Sequence, residues 1–211
     1  MKTAVVAGST GLVGQEVVRA LLADGVKVVS FSRRSLGFTH ENLREVRAEI
    51  SALPTLREEL KGDFYFCCLG TTRKTAGSKP AFMKVDYDAV VDFARIAKHH
   101  GAGLALVSSA GANSNSLFFY SQVKGAAEDA LRVLELPRLY IFKPALLLGD
   151  RKESRPIEAA AQGIANGMRQ VMPKFSRRIA TKVDDLAALM IAAAKGGEPS
   201  REYFAEEIWK S

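Results

Sequence analysis

The sequence predicts an α/β chain: a doubly wound parallel sheet with helices on both faces and a small C-terminal cap. Three observations predict it. Short apolar runs alternate with amphipathic stretches from the first residues to Pro144, the order of strand, helix, strand expected of a parallel sheet. A glycine-rich turn joins the first apolar run to the first amphipathic stretch. The run Phe64-Tyr65-Phe66-Cys67-Cys68-Leu69 is uncharged, as suits a central strand covered on both faces.

The first strand is expected at Thr3–Ala7 and the first helix from Leu12 to Ala23, stopped by Asp24-Gly25. Strands follow near Val26–Phe31 and Leu43–Val46, and a short helix over Ser51–Leu60. After the central strand, a long helix over Lys79–Lys98 carries Val85, Ala89, Val90, Phe93, Ile96 and Ala97 on one face. A fifth strand at Leu104–Ser108, a helix from Tyr120 to about Leu134 and a sixth strand at Leu139–Phe142 complete the regular part. Beyond Pro144 the alternation breaks down. A short strand is expected near Arg178–Ala180, a helix from Val183, and an edge element within Tyr203–Trp209. The 211 residues read as one domain, with about 150–178 as a substrate-side cap.

Composition narrows the function classes. The chain is 47% apolar and 25% charged, ordinary for a globular protein. No targeting segment and no membrane span is expected, because the first strand begins at the third residue and the apolar runs are short. Cys67 and Cys68 are neighbours on a strand, a geometry that does not suit a mutual disulfide. They read as small core residues of a reducing compartment, and the cytoplasm is the expectation. Three histidines without ligand-like spacing predict no metal site. The net charge of +7 is scattered and falls in no nucleic-acid-binding pattern, so no nucleic-acid partner is expected.

The turn Gly8-Ser9-Thr10-Gly11-Leu12-Val13-Gly14 stands between a strand and a helix start. Glycines there let the backbone approach a pyrophosphate, and the helix N-terminus favours its charge. This is the context of a Rossmann-type dinucleotide site. At the end of the second strand, a carboxylate would bond the adenosine ribose and select NAD. The chain has Ser32-Arg33-Arg34 instead, which can grip a 2′-phosphate. NADP(H) is therefore expected over NAD(H), with Arg33 nearest the strand end. Leu69, Gly70, Thr71 and Thr72 leave the central strand at its carboxyl end, where they would lie along the cofactor.

Tyr120 and Lys124 share a helix face at i, i+4. A free tyrosine ionises near about 10, and an adjacent ammonium favours the phenolate. Tyr120 would pass a proton to a carbonyl oxygen, and Lys124 would support it and bond the nicotinamide ribose. Ser108 and Ser109 end the fifth strand, where one hydroxyl would polarise the same carbonyl. Strand alternation does not decide between them.

Together these blocks resemble an atypical short-chain dehydrogenase/reductase, and more narrowly the Tat-interacting-protein family of oxidoreductase-like proteins. The resemblance rests on Gly8–Gly14, Cys67–Arg73, Val107–Ser109, Tyr120–Gly125 and Phe142–Arg151 followed by Arg155-Pro156, five blocks in order. It implies an NADP-binding domain with a Ser–Tyr–Lys site, and a monomer or a homodimer through the two long helices. Lys143-Pro144-Ala145 stands where that family reads Arg-Pro-Gly, and its backbone would line the nicotinamide pocket. The proton-relay asparagine of many such reductases has no obvious counterpart, with Asn113 and Asn115 the available candidates.

The expected activity is hydride transfer between NADP(H) and a small carbonyl or alcohol. The alternative is an NADPH-binding sensor or scaffold without turnover. Nucleotide-sugar chemistry ranks third, because little chain remains after the sixth strand for a substrate domain. Arg151, Lys152, Arg155, Arg169, Lys174, Arg177 and Arg178 hint at an anionic substrate, although a solvated surface explains them as readily.

Overall fold

The computed structural model describes residues 1–148 and 180–208. In chain order the elements are β1 (Thr3–Ala7), α1 (Leu12–Ala23), β2 (Lys27–Ser32), β3 (Leu43–Arg47), a 3-10 turn (Ile50–Thr55), β4 (Phe64–Cys67), α2 (Arg73–Ala76), α3 (Lys79–Met83), a π-helical turn (Lys84–Asp88) and α4 (Ala89–His99). They continue with β5 (Gly103–Val107), α5 (Phe119–Val133), β6 (Leu139–Lys143), β7 (Leu146–Leu148), β8 (Ala180–Lys182), α6 (Val183–Gly196), β9 (Arg201–Phe204) and α7 (Ala205–Ile208).

Seven strands form one parallel sheet in the order β3-β2-β1-β4-β5-β6-β9. Strand alternation divides the core into two layers. Ala4, Val6, Val28, Phe64, Phe66, Ala105, Tyr140 and Phe142 pack beneath α1 and α6. Val5, Ala7, Val29, Phe31, Tyr65, Cys67, Leu104 and Ile141 pack beneath α4 and α5. Both faces are covered, which is why the strands read as continuous apolar runs rather than alternating ones. Cys67 belongs to one layer and Cys68 packs against the other. Both are free, and burial pushes both thiols above their ordinary value, Cys67 to about 12.

The sequence reading differs from the structure in three places. The long helix over Lys79–Lys98 is interrupted by the π-helical turn. The short helix after Ser51 is only a 3-10 turn, with Pro54 inside it withholding a donor. The C-terminal edge element is a full parallel partner of β6. It is seated by Tyr203 stacked on Phe142, ring centroids 4.5 Å apart, and by Leu139 N–H donating to Ser200 Oγ at 2.9 Å. β7 and β8 pair as a small separate sheet. The expected cap and its basic residues lie outside the described residues. No helix among those described is long and apolar enough to cross a membrane.

Candidate active site

The strand order reverses between β1 and β4. At such a switch point the connections leave in opposite directions and open a crevice at the carboxyl edge. Five of the segments singled out from the sequence follow a strand and emerge on that edge: Gly8–Gly14 after β1, Ser32–Arg34 at the end of β2, Leu69–Thr72 after β4, Ser108–Ser109 after β5, and Lys143–Ala145 at the end of β6.

The glycines are there for close approach. Gly8 has φ +74°, and a Cβ on it would lie 2.5 Å from the Cys68 carbonyl oxygen, so the exits of β1 and β4 touch. A Cβ on Gly14 would lie 2.3 Å from the Gly8 carbonyl oxygen. Gly11 caps α1 in an extended conformation with no side-chain cap, and the first intrahelical bond is Gln15 N–H to Gly11 at 2.9 Å. The N–H groups of Leu12, Val13 and Gly14 thus precede any intrahelical partner. Leu12 is half-buried, while Val13 packs into the core. The Ser9 hydroxyl is buried against Ser30 Oγ at 2.7 Å, leaving its backbone for a ligand. Thr10 is half-buried, and its carbonyl accepts from Gln15 Nε2 at 3.1 Å. A phosphate-binding turn of this build fits a dinucleotide.

At β2, Ser32 is buried and donates its hydroxyl to the Arg34 carbonyl at 2.5 Å, so that proton is committed to shaping the loop. Arg33 and Arg34 are exposed, and neither forms a salt bridge among the described residues. Glu45 of β3 accepts from the Leu36 N–H at 3.0 Å and pins the following loop. After β4, Leu69 is buried, Gly70 is exposed, and Thr72 caps α2 by accepting from the Thr75 N–H at 3.1 Å. Thr71 donates its N–H to Asp86 at 2.9 Å.

On α5, Lys124 is buried and its Nζ lies 2.8 Å from Asp86 Oδ1. Burial disfavours the ammonium, but Asp86 and Tyr120 outweigh it and hold Lys124 up at about 12. Asp86 is fully buried on the π-helical turn. Burial raises its carboxyl, against the pull of Lys124 and the Thr71 N–H. Tyr120 is half-buried, one turn before Lys124, its ring 5.8 Å from that of Phe82. A Cβ on Gly125 would lie 2.1 Å from Ser114 N, so α5 is pressed against the preceding loop. Sequence reasoning missed Asp86. The available signal was an aspartate on the stripe Phe82, Asp86, Ala89, Val90, Phe93, where an apolar residue belongs.

The two serines separate. Ser108 is buried and donates to Glu128. Ser109 Oγ is buried without a hydrogen-bond partner among the described residues. Glu128, only 1% exposed, also meets Lys143 Nζ at 2.9 Å and Arg132 at 3.0 Å. Lys143 reaches Glu202 of β9 at 2.8 Å. The structure adds detail to two of the sequence readings. The Lys143 side chain turns into this network, so only its backbone faces the site edge, beside buried Pro144 and half-buried Ala145. Asn113 spends its Oδ1 on the Asn115 N–H at 2.9 Å, and both residues are exposed, so neither is placed as a relay.

Within the network burial pushes Glu202 up, but hydrogen bonds from Lys143 and Arg132 hold it below the usual carboxylate value. The reverse holds for Lys143, raised by Glu202 and Glu128 against burial. A lowered carboxylate stabilises the fold above its unfolded pKa and loses that as pH falls through the folded one; a raised lysine stabilises below its unfolded pKa and loses that as pH rises. Glu128→Gln is expected to cost about 2–4 kcal/mol near neutral pH, measured by urea denaturation, because Lys143 would keep only half-buried Glu202, which it shares with Arg132.

One trio of ligand-type side chains occurs among the described residues. Glu58, His99 and His100 bring one ligand atom each to within 4.8 Å of one another. They lie after the 3-10 turn and at the end of α4, at the amino edge of the sheet and away from the crevice.

The pattern of the NAD dependent epimerase/dehydratase family matches residues 4–113. HTATIP2 of Rattus norvegicus is 38% identical over 168 residues, covering 76% of this chain and 69% of that protein. The fmp52-1 protein of Aspergillus terreus is 30% identical over 224 residues, covering 99% and 94%. Among solved structures, the Bordetella bronchiseptica enzyme WbmH in complex with NAD+ matches with a TM-score of 0.73 at 19% identity, over 96% of this chain and 75% of that one. A short chain dehydrogenase family protein from Francisella tularensis matches at 0.71 and 17%, over 98% of both chains. These two establish the fold. The FMP52 relatives are named mitochondrial, which overturns the expectation of a cytoplasmic location. That expectation rested on reduced cysteines, and buried thiols pack alike in any reducing compartment. The chain belongs to the NAD dependent epimerase/dehydratase family, in the Tat-interacting-protein-like branch that includes HTATIP2 and FMP52.

Proposed function

We propose that this protein is an NADP(H)-dependent oxidoreductase acting on a small carbonyl or alcohol through Ser109, Tyr120 and Lys124. The observation that carries the reading is Lys124: a buried cation one helical turn from Tyr120, beneath the Gly70–Thr71 loop. A Cβ on Gly70 would lie 3.4 Å from its Nζ. Bound nicotinamide would supply or accept the hydride. Ser109 Oγ, without a hydrogen-bond partner among the described residues, donates to the carbonyl oxygen. Ser108 is unsuited to that role because its proton is given to Glu128. Tyr120 passes its hydroxyl proton to the same oxygen as negative charge develops there. Lys124 remains charged and favours that charge separation.

The preference for NADP(H) rests on Arg33 and Arg34, exposed and without a salt bridge among the described residues, at the strand end that would meet the adenosine ribose. Arg33→Ala is expected to weaken NADPH binding by about tenfold and to change NADH binding by less than about twofold. Calorimetric titration with both cofactors checks this; equal losses for both would refute the 2′-phosphate contact. The hydride-transfer reading is tested by following oxidation of bound NADPH against a panel of aldehydes and ketones.

A further inference from the structure

Asp86 is a buried carboxylate with two separate engagements. One oxygen meets Lys124 Nζ at 2.8 Å and the other accepts the Thr71 N–H at 2.9 Å. A Cβ on Gly70 would touch both sides of the pair, 3.4 Å from Lys124 Nζ and 3.5 Å from Asp86 Oδ1. The carboxylate thus spans three elements: the π-helical turn that carries it, the loop leaving β4, and α5. A buried charge is costly unless paired and hydrogen-bonded, and π-helical turns concentrate at functional sites. The turn itself is what brings residue 86 inward between two segments of the crevice.

We propose that Asp86 is a positioning residue of this site: it clamps Lys124 to the Gly70–Thr71 loop, so that the lysine stays a fixed cation and the loop keeps the shape that receives the dinucleotide. This rests on the oxidoreductase reading for its role in turnover, but the clamp itself is a property of the free protein. The charged and titratable groups facing Lys124 are Asp86 from the π-helical turn, Tyr120 from α5 and Cys67 at the end of β4. Burial holds the Cys67 thiol protonated up to about 12, so it brings no charge in the neutral range. Asp86 is the carboxylate that balances the ammonium. Without it, the largest influence opposing burial is lost, and the proton of Lys124 is held less tightly.

The test needs no substrate. Protein labelled with 13C at lysine Cε is titrated by NMR, and the Lys124 signal is assigned by its absence in Lys124→Met. Wild-type Lys124 is expected to stay charged above the ordinary lysine range. In Asp86→Asn its midpoint is expected to fall by at least about 2 pH units. An unchanged midpoint in Asp86→Asn overturns the proposal. So does a wild-type midpoint at or below the ordinary lysine value, a result that stands even if the variant does not fold. The loop arm is read by hydrogen exchange at the Thr71 amide: slow in wild type and in Asp86→Asn, which keeps an acceptor, and faster in Asp86→Ala. Fast exchange in wild type overturns this arm. Once a carbonyl substrate is in hand, Asp86→Asn is expected to lower kcat about 10–100-fold with KM for NADPH within about threefold. If no substrate is turned over by wild type, the oxidoreductase reading fails while the NMR result still decides the clamp.

Discussion

Tyr120→Phe is expected to lower kcat for hydride transfer by about 10²–10⁴-fold, the usual size of a lost general acid, with NADPH affinity within about threefold of wild type. The substitution removes one oxygen and keeps the ring that packs on Phe82. Lys124 keeps Asp86, so the buried charge balance survives and the fold is expected to be unperturbed. The comparison is made by stopped-flow oxidation of NADPH together with a cofactor titration of each protein. An undiminished rate would show that the proton comes from elsewhere; a lost rate accompanied by lost NADPH binding would make Tyr120 a cofactor residue instead.

Gly8→Ala is expected to destabilise the protein by about 2–4 kcal/mol and to remove measurable NADPH binding. Two costs combine. The residue sits at φ +74°, and its new Cβ would face the Cys68 carbonyl oxygen at 2.5 Å, with the Cys68 carbonyl carbon at 2.7 Å and the Leu69 nitrogen at 2.9 Å. All three are backbone atoms of the neighbouring exit loop, so relief requires β1 and β4 to part where the crevice opens. Gly37→Ala is the control. Its φ is +78°, but nothing lies within 4 Å of the added carbon, so it carries the conformational cost alone, about 1–2 kcal/mol, with NADPH binding retained. Urea denaturation of the two variants separates the clash from the strain.

Much of this architecture was legible because it is written locally. Thr3–Ala7, the glycine turn and Leu12–Ala23 follow one another without a gap, and each signal sets the next: an apolar run, a tight turn, a 3.6-residue stripe. Tyr120 and Lys124 were legible for the same reason, sharing a helix face at short range. What escaped depends on distant partners. Asp86 shows in the sequence only as a charge on an apolar stripe; its partners appear once the π-helical turn carries it beneath Thr71. Lys124 and Glu128 stand at i, i+4 on α5, yet one turns to Asp86 and the other to Ser108, Arg132 and Lys143. The choice between Ser108 and Ser109 needed the position of Glu128, twenty residues from Ser108. β9 was half-visible, because its pairing with β6 depends on Tyr203 stacking on Phe142 rather than on its own short sequence. The glycine turn fixes where a dinucleotide would lie, but not which residues balance charge below it.

The most direct test of the central claim is a calorimetric titration of the wild-type protein with NADPH and with NADH. One NADPH is expected to bind per chain, about tenfold or more tightly than NADH. Binding of neither would contradict the dinucleotide site at the β1–α1 turn, and equal or tighter binding of NADH would contradict the role given to Arg33 and Arg34.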